Sequence, residues 1–316
     1  MSRTIEAMLE RYDIPDQTGH TAVVTGATGG LGLRVAEVLA SRGALVLVGS
    51  RNVQRGASAL AQVARAARGP APELVNVDLA DLASVTAAAA NIRDRTRDRL
   101  DLLVNNGGVM APPRSFSPDG FELQWATNVL GPAALTWLLL PAIEAERSGR
   151  VVFVSSTRHH SGSFDEQRLH ADLRGDDYRG FDYYGRTKLA DLLLSRELQK
   201  HFDVTGSRAT SVAAHPGFTA TGIVGNGFAA LPGFLRPAAN WGAKAFGQPV
   251  EVGALPILVA ATDRDVAGGS YLGPTDFGGL RGAPGPSKRS AASESDELGA
   301  LLVRVVAELT GVTAPA

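Results

Sequence analysis

The chain has 316 residues, of which 44% are apolar and 20% charged, and its net charge is −1. That composition supports a large packed core and leaves no surplus of positive charge for nucleic acid or anionic lipid. There is no cysteine, which rules out disulfides, thiolate catalysis and cysteine metal sites.

Residues 1–19 are a polar extension of mixed charge, without the basic start and apolar middle of a signal peptide. The pattern then alternates short β-branched runs with longer stretches rich in alanine and leucine. Strands are predicted over 21–25, 45–49, 74–77, 102–105, 151–155, 211–214 and 270–272. Between and after them, helices are predicted over 31–41, 53–68, 82–97, 121–146, 184–201, 251–261 and 295–309. Strands that are apolar throughout are buried on both faces. Strand–helix repetition gives a parallel sheet, so the expected fold class is α/β, a doubly wound sheet of about seven strands. No composition shift divides residues 1–316 into separate domains. Two segments break the rhythm: 217–247, rich in Gly, Pro, Ala and Phe, and the Gly/Pro-rich stretch 281–289 leading into the C-terminal tail. The most apolar run, near Trp137–Leu140, lies between Pro132 and Pro141, so no membrane span is expected, and a cytoplasmic protein is.

Three motifs sit where such a fold places chemistry. Thr25-Gly26-Ala27-Thr28-Gly29-Gly30-Leu31-Gly32 follows the first strand and opens the first helix. Gly26, Gly30 and Gly32 allow a tight turn and close approach of a pyrophosphate to free helix N–H groups; the alternative is a plain βα turn. Ser155 and Ser156 end the fifth strand. Tyr184 and Lys188 lie four apart on one helical face. A phenol titrates at about 10 in water, and a neighbouring ammonium favours its ionised form. Tyr184 can then exchange a proton with a substrate oxygen. Alone, such a pair is common on helix surfaces.

Taken in order, these motifs resemble the short-chain dehydrogenase/reductase family, whose glycine turn reads T-G-x-x-x-G-x-G. The polar insert 159–179 between the serines and Tyr184 is similar to that of the retinol dehydrogenase-like branch. The resemblance runs from about Thr21 to Leu272. It implies a single Rossmann-type domain with residues 217–247 as a substrate lid, and hydride exchange between a nicotinamide cofactor and a carbonyl or alcohol.

The resemblance also distributes roles. Ser156 polarises the substrate oxygen, with Ser155 as the fallback. Tyr184 is the acid/base, and Lys188 supports it and binds the nicotinamide ribose. Asn128 perturbs its helix so that a water can reach Lys188; otherwise it is a helix-face side chain bonded to a neighbouring strand. The cofactor site gathers Gly26, Thr28, Gly30, Leu31 and Gly32 with Ser50, Arg51 and Asn52, where no acidic residue ends the second strand. Arg51 can pair with a 2′-phosphate, so NADP(H) is favoured over NAD(H); otherwise it is a solvated surface arginine. Asp78 caps the adenine beside Leu79, unless Asp78 or Asp81 caps the following helix. Asn106, Gly107 and Gly108 resemble the family's N-N-A-G turn, with Gly107 in place of alanine. Pro216, Gly217 and Thr219 resemble its turn beside the nicotinamide, with Thr221 as the alternative threonine.

His159 and His160 are read as surface or pocket-wall residues, and no metal site is implied. Phe218, Ile223, Phe228, Leu231, Phe234, Leu235 and Trp241, with Met110, Ala111 and Pro112, suggest a hydrophobic small-molecule substrate, unless the lid side chains pack only on each other. Relatives pair through the helices at 121–146 and 184–201, so a homo-oligomer is compatible with the pattern. Two rival readings keep the fold: an NADP-sensing regulator without turnover, and a non-redox epimerase or dehydratase.

Overall fold

The computed structural model describes residue 12, residues 14–219 and residues 247–315. Most of the anticipated lid (220–246, including Thr221) and most of the N-terminal extension therefore lie outside the described residues.

The apolar runs form one eight-stranded sheet in the order β3-β2-β1-β4-β5-β6-β7-β8. The strands are β1 (Thr21–Val24), β2 (Leu45–Ser50), β3 (Glu73–Asn76), β4 (Leu102–Asn105), β5 (Arg150–Val154), β6 (Thr210–Ala214), β7 (Tyr271–Asp276) and β8 (Arg281–Pro286). Neighbours pair in parallel until β8, which returns antiparallel to β7. That eighth strand was not expected, because its sequence, Arg-Gly-Ala-Pro-Gly-Pro, has no β-branched residue and reads as loop. An edge strand tolerates proline; pairing with β7, not propensity, makes it a strand.

Helices α1 (Gly30–Ser41), α2 (Val53–Ala66) and α7 (Val250–Thr262) cover one face. Helices α3 (Leu82–Thr96), α4 (Leu123–Glu144), α6 (Gly180–Thr205) and α8 (Asp296–Thr310) cover the other. Successive strand residues serve opposite cores. Val23, Leu47, Leu103 and Val151 face α3, α4 and α6, while Val24, Val46, Val104 and Val152 face α1 and α2. This is why the strands read as unbroken apolar runs.

Two helices differ from expectation. By length and composition α4, with 22 residues and a mean hydropathy of 1.4, reaches that of a membrane span despite its prolines. Its most apolar stretch is 89% buried inside the fold, as befits a core helix. Helix α6 runs longer than predicted at both ends, from Gly180 to Thr205. Its outer face is taken by α8: Leu302, Val305 and Val306 pack with Leu194, Leu198 and Phe202. Asp296 of α8 meets Arg196 and Lys200. The α6 face expected to meet a second copy is thus partly covered by the chain's own C-terminal helix.

The insert at 159–179 is structured. It holds a 3₁₀ turn, Thr157–Ser161, and helix α5, Glu166–Leu173. Asp172, fully buried, anchors it by accepting from Arg168, Arg186 and the Trp125 indole.

Candidate active site

In a doubly wound sheet, ligands bind beyond the strand C-termini where the strand order reverses, here between β1 and β4. A cavity of about 300 Å³ lies there, lined by Gly26, Thr28, Gly30, Leu31, Gly32, Ser50, Arg51, Asn52, Asp78, Leu79, Asn106, Gly107 and Gly108. The structure thus brings the sequence-predicted residues of β1, β2, β3 and β4 to one wall.

The turn is shaped by backbone approach. Gly26 adopts φ +64, and a Cβ there would come within 2.7 Å of the Gly107 Cα. A Cβ on Gly32 would strike the Asn106 amide and lie 2.6 Å from the Gly26 carbonyl. Only glycine fits both. Thr25 locks the two turns together: its hydroxyl accepts from the Asn106 and Gly107 amides at 3.0 and 2.9 Å, and its carbonyl accepts from the Asn106 side chain at 2.9 Å. Gly107 stands where the family pattern has alanine. A Cβ there would meet the end of Leu79 at 2.7 Å, a contact that flexible side chain can relieve, and would lie 3.3 Å from both the Gly26 nitrogen and the Thr25 hydroxyl. Helix α1 begins at Gly30 with no side-chain cap and no acid in its first turn. Its N–H groups face the cavity, which suits a pyrophosphate.

Arg51 is exposed beside the end of β2, and Arg55, one turn into α2, joins it on the cavity wall. Neither side chain has a hydrogen-bond or ion-pair partner among the described residues. Arg55 was missed in the sequence; its signal was a second arginine four positions on. Asn52 and Ser50 are partly committed elsewhere. The Asn52 carboxamide caps α2 by accepting from the Arg55 amide at 2.8 Å, and Ser50 donates to the Asn52 carbonyl at 2.9 Å. Asp81, not Asp78, caps α3, which leaves Asp78 on the cavity wall with one oxygen accepting from the Ala80 amide.

A second cavity of about 330 Å³ adjoins the first and shares Leu31, Asn106, Gly108 and Val109 with it. Ser156, Tyr184, Lys188, Pro216, Gly217 and Thr219 line it, with Met110, Phe181, Phe218 and Leu280 as its apolar surface. Of the anticipated lid only Gly217, Phe218 and Thr219 can be placed there. The Phe218 amide donates to Leu280 in the β7–β8 hairpin at 2.9 Å. Thr219 is buried, and its hydroxyl donates to the Pro216 carbonyl at 2.9 Å.

The two serines separate by direction. The Ser155 hydroxyl points inward and donates to the Lys188 carbonyl at 2.7 Å. Both serines line the cavity, and the Ser156 hydroxyl caps the 3₁₀ turn, accepting from the Arg158 amide at 3.2 Å. Lys188 is buried, and its ammonium donates to the Val154 carbonyl at 2.9 Å and to Asp191 at 2.8 Å. It stands 5.6 Å from the centre of the Tyr184 ring. Burial opposes the charge on Lys188, but Asp191 and Tyr184 outweigh it and hold the ammonium firmly protonated. Burial pushes the Asp191 carboxyl up to about 6, against the pull of Lys188. Asp191 escaped the sequence reading; its signal was an acid inside the apolar run Leu189, Ala190, Leu192, Leu193.

Asn128 sits in one turn of π-helix, Ala126–Leu130, the helix break expected there. Its carboxamide accepts from the Val109 amide at 2.8 Å, and donates to the Val109 carbonyl at 2.9 Å and to Thr187 on α6 at 3.1 Å. The turn after β4 is thereby fixed to the helix that carries Tyr184.

His159 is not a surface residue. It is 1% exposed, and its Nδ1 lies 2.8 Å from the Ser156 carbonyl, which can only accept, so that nitrogen carries the proton. Tyr271 of β7 meets its ring edge-on, and His215 packs on the other side of Tyr271. Burial lowers both histidines to about 4. Among the described residues, no group of three or more His, Asp or Glu could hold a metal ion.

The short chain dehydrogenase family model matches residues 20–167. Polyprenol dehydrogenase from Mus musculus is 36% identical over 82% of this chain and 77% of its own. Retinol dehydrogenase 12 from Bos taurus is 38% identical over 66% of this chain, and the match spans 65% of that relative's length. Among solved structures, an uncharacterized protein from Mycobacterium Paratuberculosis superposes with a TM-score of 0.77 at 33% identity, covering 96% of this chain and 98% of that one. A Beutenbergia cavernae structure, described as an NAD(P) dependent gluconate 5-dehydrogenase with bound NADP at low occupancy, superposes with a TM-score of 0.61. It is 27% identical over 81% of this chain and 95% of its own. Geometry and ancestry agree, and the chain belongs to the short-chain dehydrogenase/reductase family.

Proposed function

We propose that this protein is an NADP(H)-dependent oxidoreductase that interconverts a carbonyl and an alcohol on a hydrophobic small molecule. The observation that carries the reading is that Tyr184, Ser156 and Lys188 line one cavity that opens onto the glycine-turn pocket.

The residues present fit a dinucleotide. Gly26 to Gly32 and the α1 N-terminus would hold the pyrophosphate, Asp78 and Leu79 the adenine, Lys188 the nicotinamide ribose, and Pro216 to Thr219 the nicotinamide edge. Arg51 and Arg55, unpartnered and cationic, would take the 2′-phosphate. A nicotinamide bound there supplies the hydride equivalent to a carbonyl carbon. Ser156 donates a hydrogen bond to the substrate oxygen, and Tyr184 delivers the proton that completes the alcohol. Lys188 stabilises the phenolate left behind. In the oxidative direction Tyr184 takes the proton back. The apolar walls formed by Met110, Phe181, Phe218 and Leu280 favour an apolar substrate.

The test is consumption of NADPH and NADH by purified protein with a panel of hydrophobic aldehydes and ketones, read beside Tyr184→Phe. Turnover with NADPH is expected, and it falls roughly 10³-fold in the variant while NADPH binding persists. Binding without turnover across the panel would favour a sensor, and product formed without net cofactor consumption an epimerase or dehydratase.

A further inference from the structure

The ammonium next to Tyr184 does not stand alone. On α6 the three side chains follow at positions 184, 188 and 191, and Lys188 contacts the buried Asp191 at 2.8 Å. Asp191 lines neither cavity. Lys188 already has a neutral acceptor in the Val154 carbonyl, so a second hydrogen bond did not require a charge. A full carboxylate there opposes the field that the ammonium projects onto the phenol. The offset is large because both charges are buried in the same low-dielectric region.

We propose that Asp191 is a positioning residue that holds Lys188 and, by offsetting its charge, favours the protonated phenol at Tyr184, biasing the site toward carbonyl reduction near neutral pH. This rests on the proposed oxidoreductase reading. No bond beyond those of that reaction is made or broken; what changes is the pH at which Tyr184 passes from proton donor to proton acceptor.

The other groups facing the pair supply no competing charge of variable sign. Tyr271 from β7 is a phenol that burial keeps protonated. His159 from the 3₁₀ turn and His215 at the end of β6 are held neutral by burial. Arg289 stands over the far side of the Tyr271 ring, 5.5 Å from its centre, and donates to the Gly269 carbonyl. Ser155, Thr187 and Asn128 are uncharged. Asp191 is therefore the one carboxylate among the described residues in contact with the Lys188 ammonium.

The test is the ultraviolet difference titration of the Tyr184 phenolate, each protein read against its own Tyr184→Phe counterpart with NADP⁺ present. It is paired with pH–rate profiles in both directions. In Asp191→Asn the amide oxygen still accepts from Lys188 but the charge is gone. The titration midpoint and both rate profiles should then move down by about one pH unit. Asp191→Glu, which keeps the charge, should stay near the wild-type midpoint, a rescue that a merely structural role would not produce. Asp191→Ser gives a second neutral side chain and should move the same way as Asp191→Asn. Midpoints unchanged in the neutral variants would overturn the inference. So would failure of both neutral variants to fold, since the carboxylate would then serve the fold. The titration needs no turnover, so an inactive wild type sinks the oxidoreductase reading, while an active enzyme with an immobile midpoint sinks only the role of Asp191.

Discussion

The two halves of the molecule make their sites from different materials. Along β1 to β4 the first cavity is shaped by backbone: glycines that admit close approach, helix N–H groups, and a threonine that ties two turns together. Along β5 to β8 the second cavity is lined by side chains that stand on buried polar groups: Lys188 on Asp191, and Ser156 against His159. Where backbone closes on backbone, at Gly26 and Gly32, the turn tolerates no added atom. A site built from buried polar side chains depends instead on charge, and so on pH.

The sharpest way to break the comparison is to add a methyl group to the first half. Gly32→Ala places a Cβ against the Asn106 amide and 2.6 Å from the Gly26 carbonyl. Neither neighbour can yield without opening the turn. NADPH affinity should fall by roughly 100-fold, the upper range for forced overpacking, as read by quenching or transfer fluorescence. Retained affinity would show that the glycine turn does not shape the cofactor site.

A smaller effect separates the two nucleotides. Arg51→Ala should weaken NADPH roughly tenfold, the scale of an exposed charge-assisted hydrogen bond. NADH should bind as before, because it has nothing at the 2′ position for Arg51 to meet. Equal losses for both nucleotides would make Arg51 a general electrostatic contributor and remove the argument for NADP(H). Arg55→Ala tests whether the second arginine shares that load.

The same division decided what could be read from the sequence. The first half repeats short signals in fixed order, and each was placed where expected: the glycine turn at Gly26 to Gly32, the absent acid after β2, the Asn106–Gly108 turn. Tyr184 and Lys188 were legible as a pair, and Asn128 as a misfit in its helix. The rest was hidden because it depends on tertiary contact. Nothing local marks β8 as a strand, since its prolines pair across the sheet edge with β7. His159 reads as a polar insert residue, yet Tyr271, 112 positions later, encloses it. Asp191 looks like one acid in an amphipathic helix until the fold turns that position inward. That the Ser155 hydroxyl is bonded to the Lys188 carbonyl was likewise hidden, because it depends on the packing of α6 against β5.

The smallest predicted effect probes a buried polar group through charge alone. Glu122 caps α4, accepting from the Gln124 and Trp125 amides at 2.9 and 3.0 Å, and is fully buried. Burial pushes its carboxyl up to about 7 despite those two hydrogen bonds, with Asp172 adding to the rise. The unfolded chain releases this proton near pH 4.5. Between that value and about 7 the folded protein therefore holds a proton that the unfolded chain has lost. By linkage, this group's contribution is full at low pH and declines as pH rises, and the cost is complete above about 7. His159 and His215 act in the opposite sense, since their folded values near 4 withdraw stability as pH falls through 6.5 toward 4. Their effects coincide in the wild-type curve, so only a difference between proteins isolates Glu122. Glu122→Gln keeps an acceptor for the two amides and removes the ionisation. It should be more stable than wild type at pH 8, by on the order of 1 kcal/mol, and the advantage should shrink as pH falls and vanish below about pH 4. Thermal melts of the two proteins across that range would decide it. Parallel curves would mean that Glu122 is as easily ionised folded as unfolded, and that the buried cap beside Asp172 is not under electrostatic load.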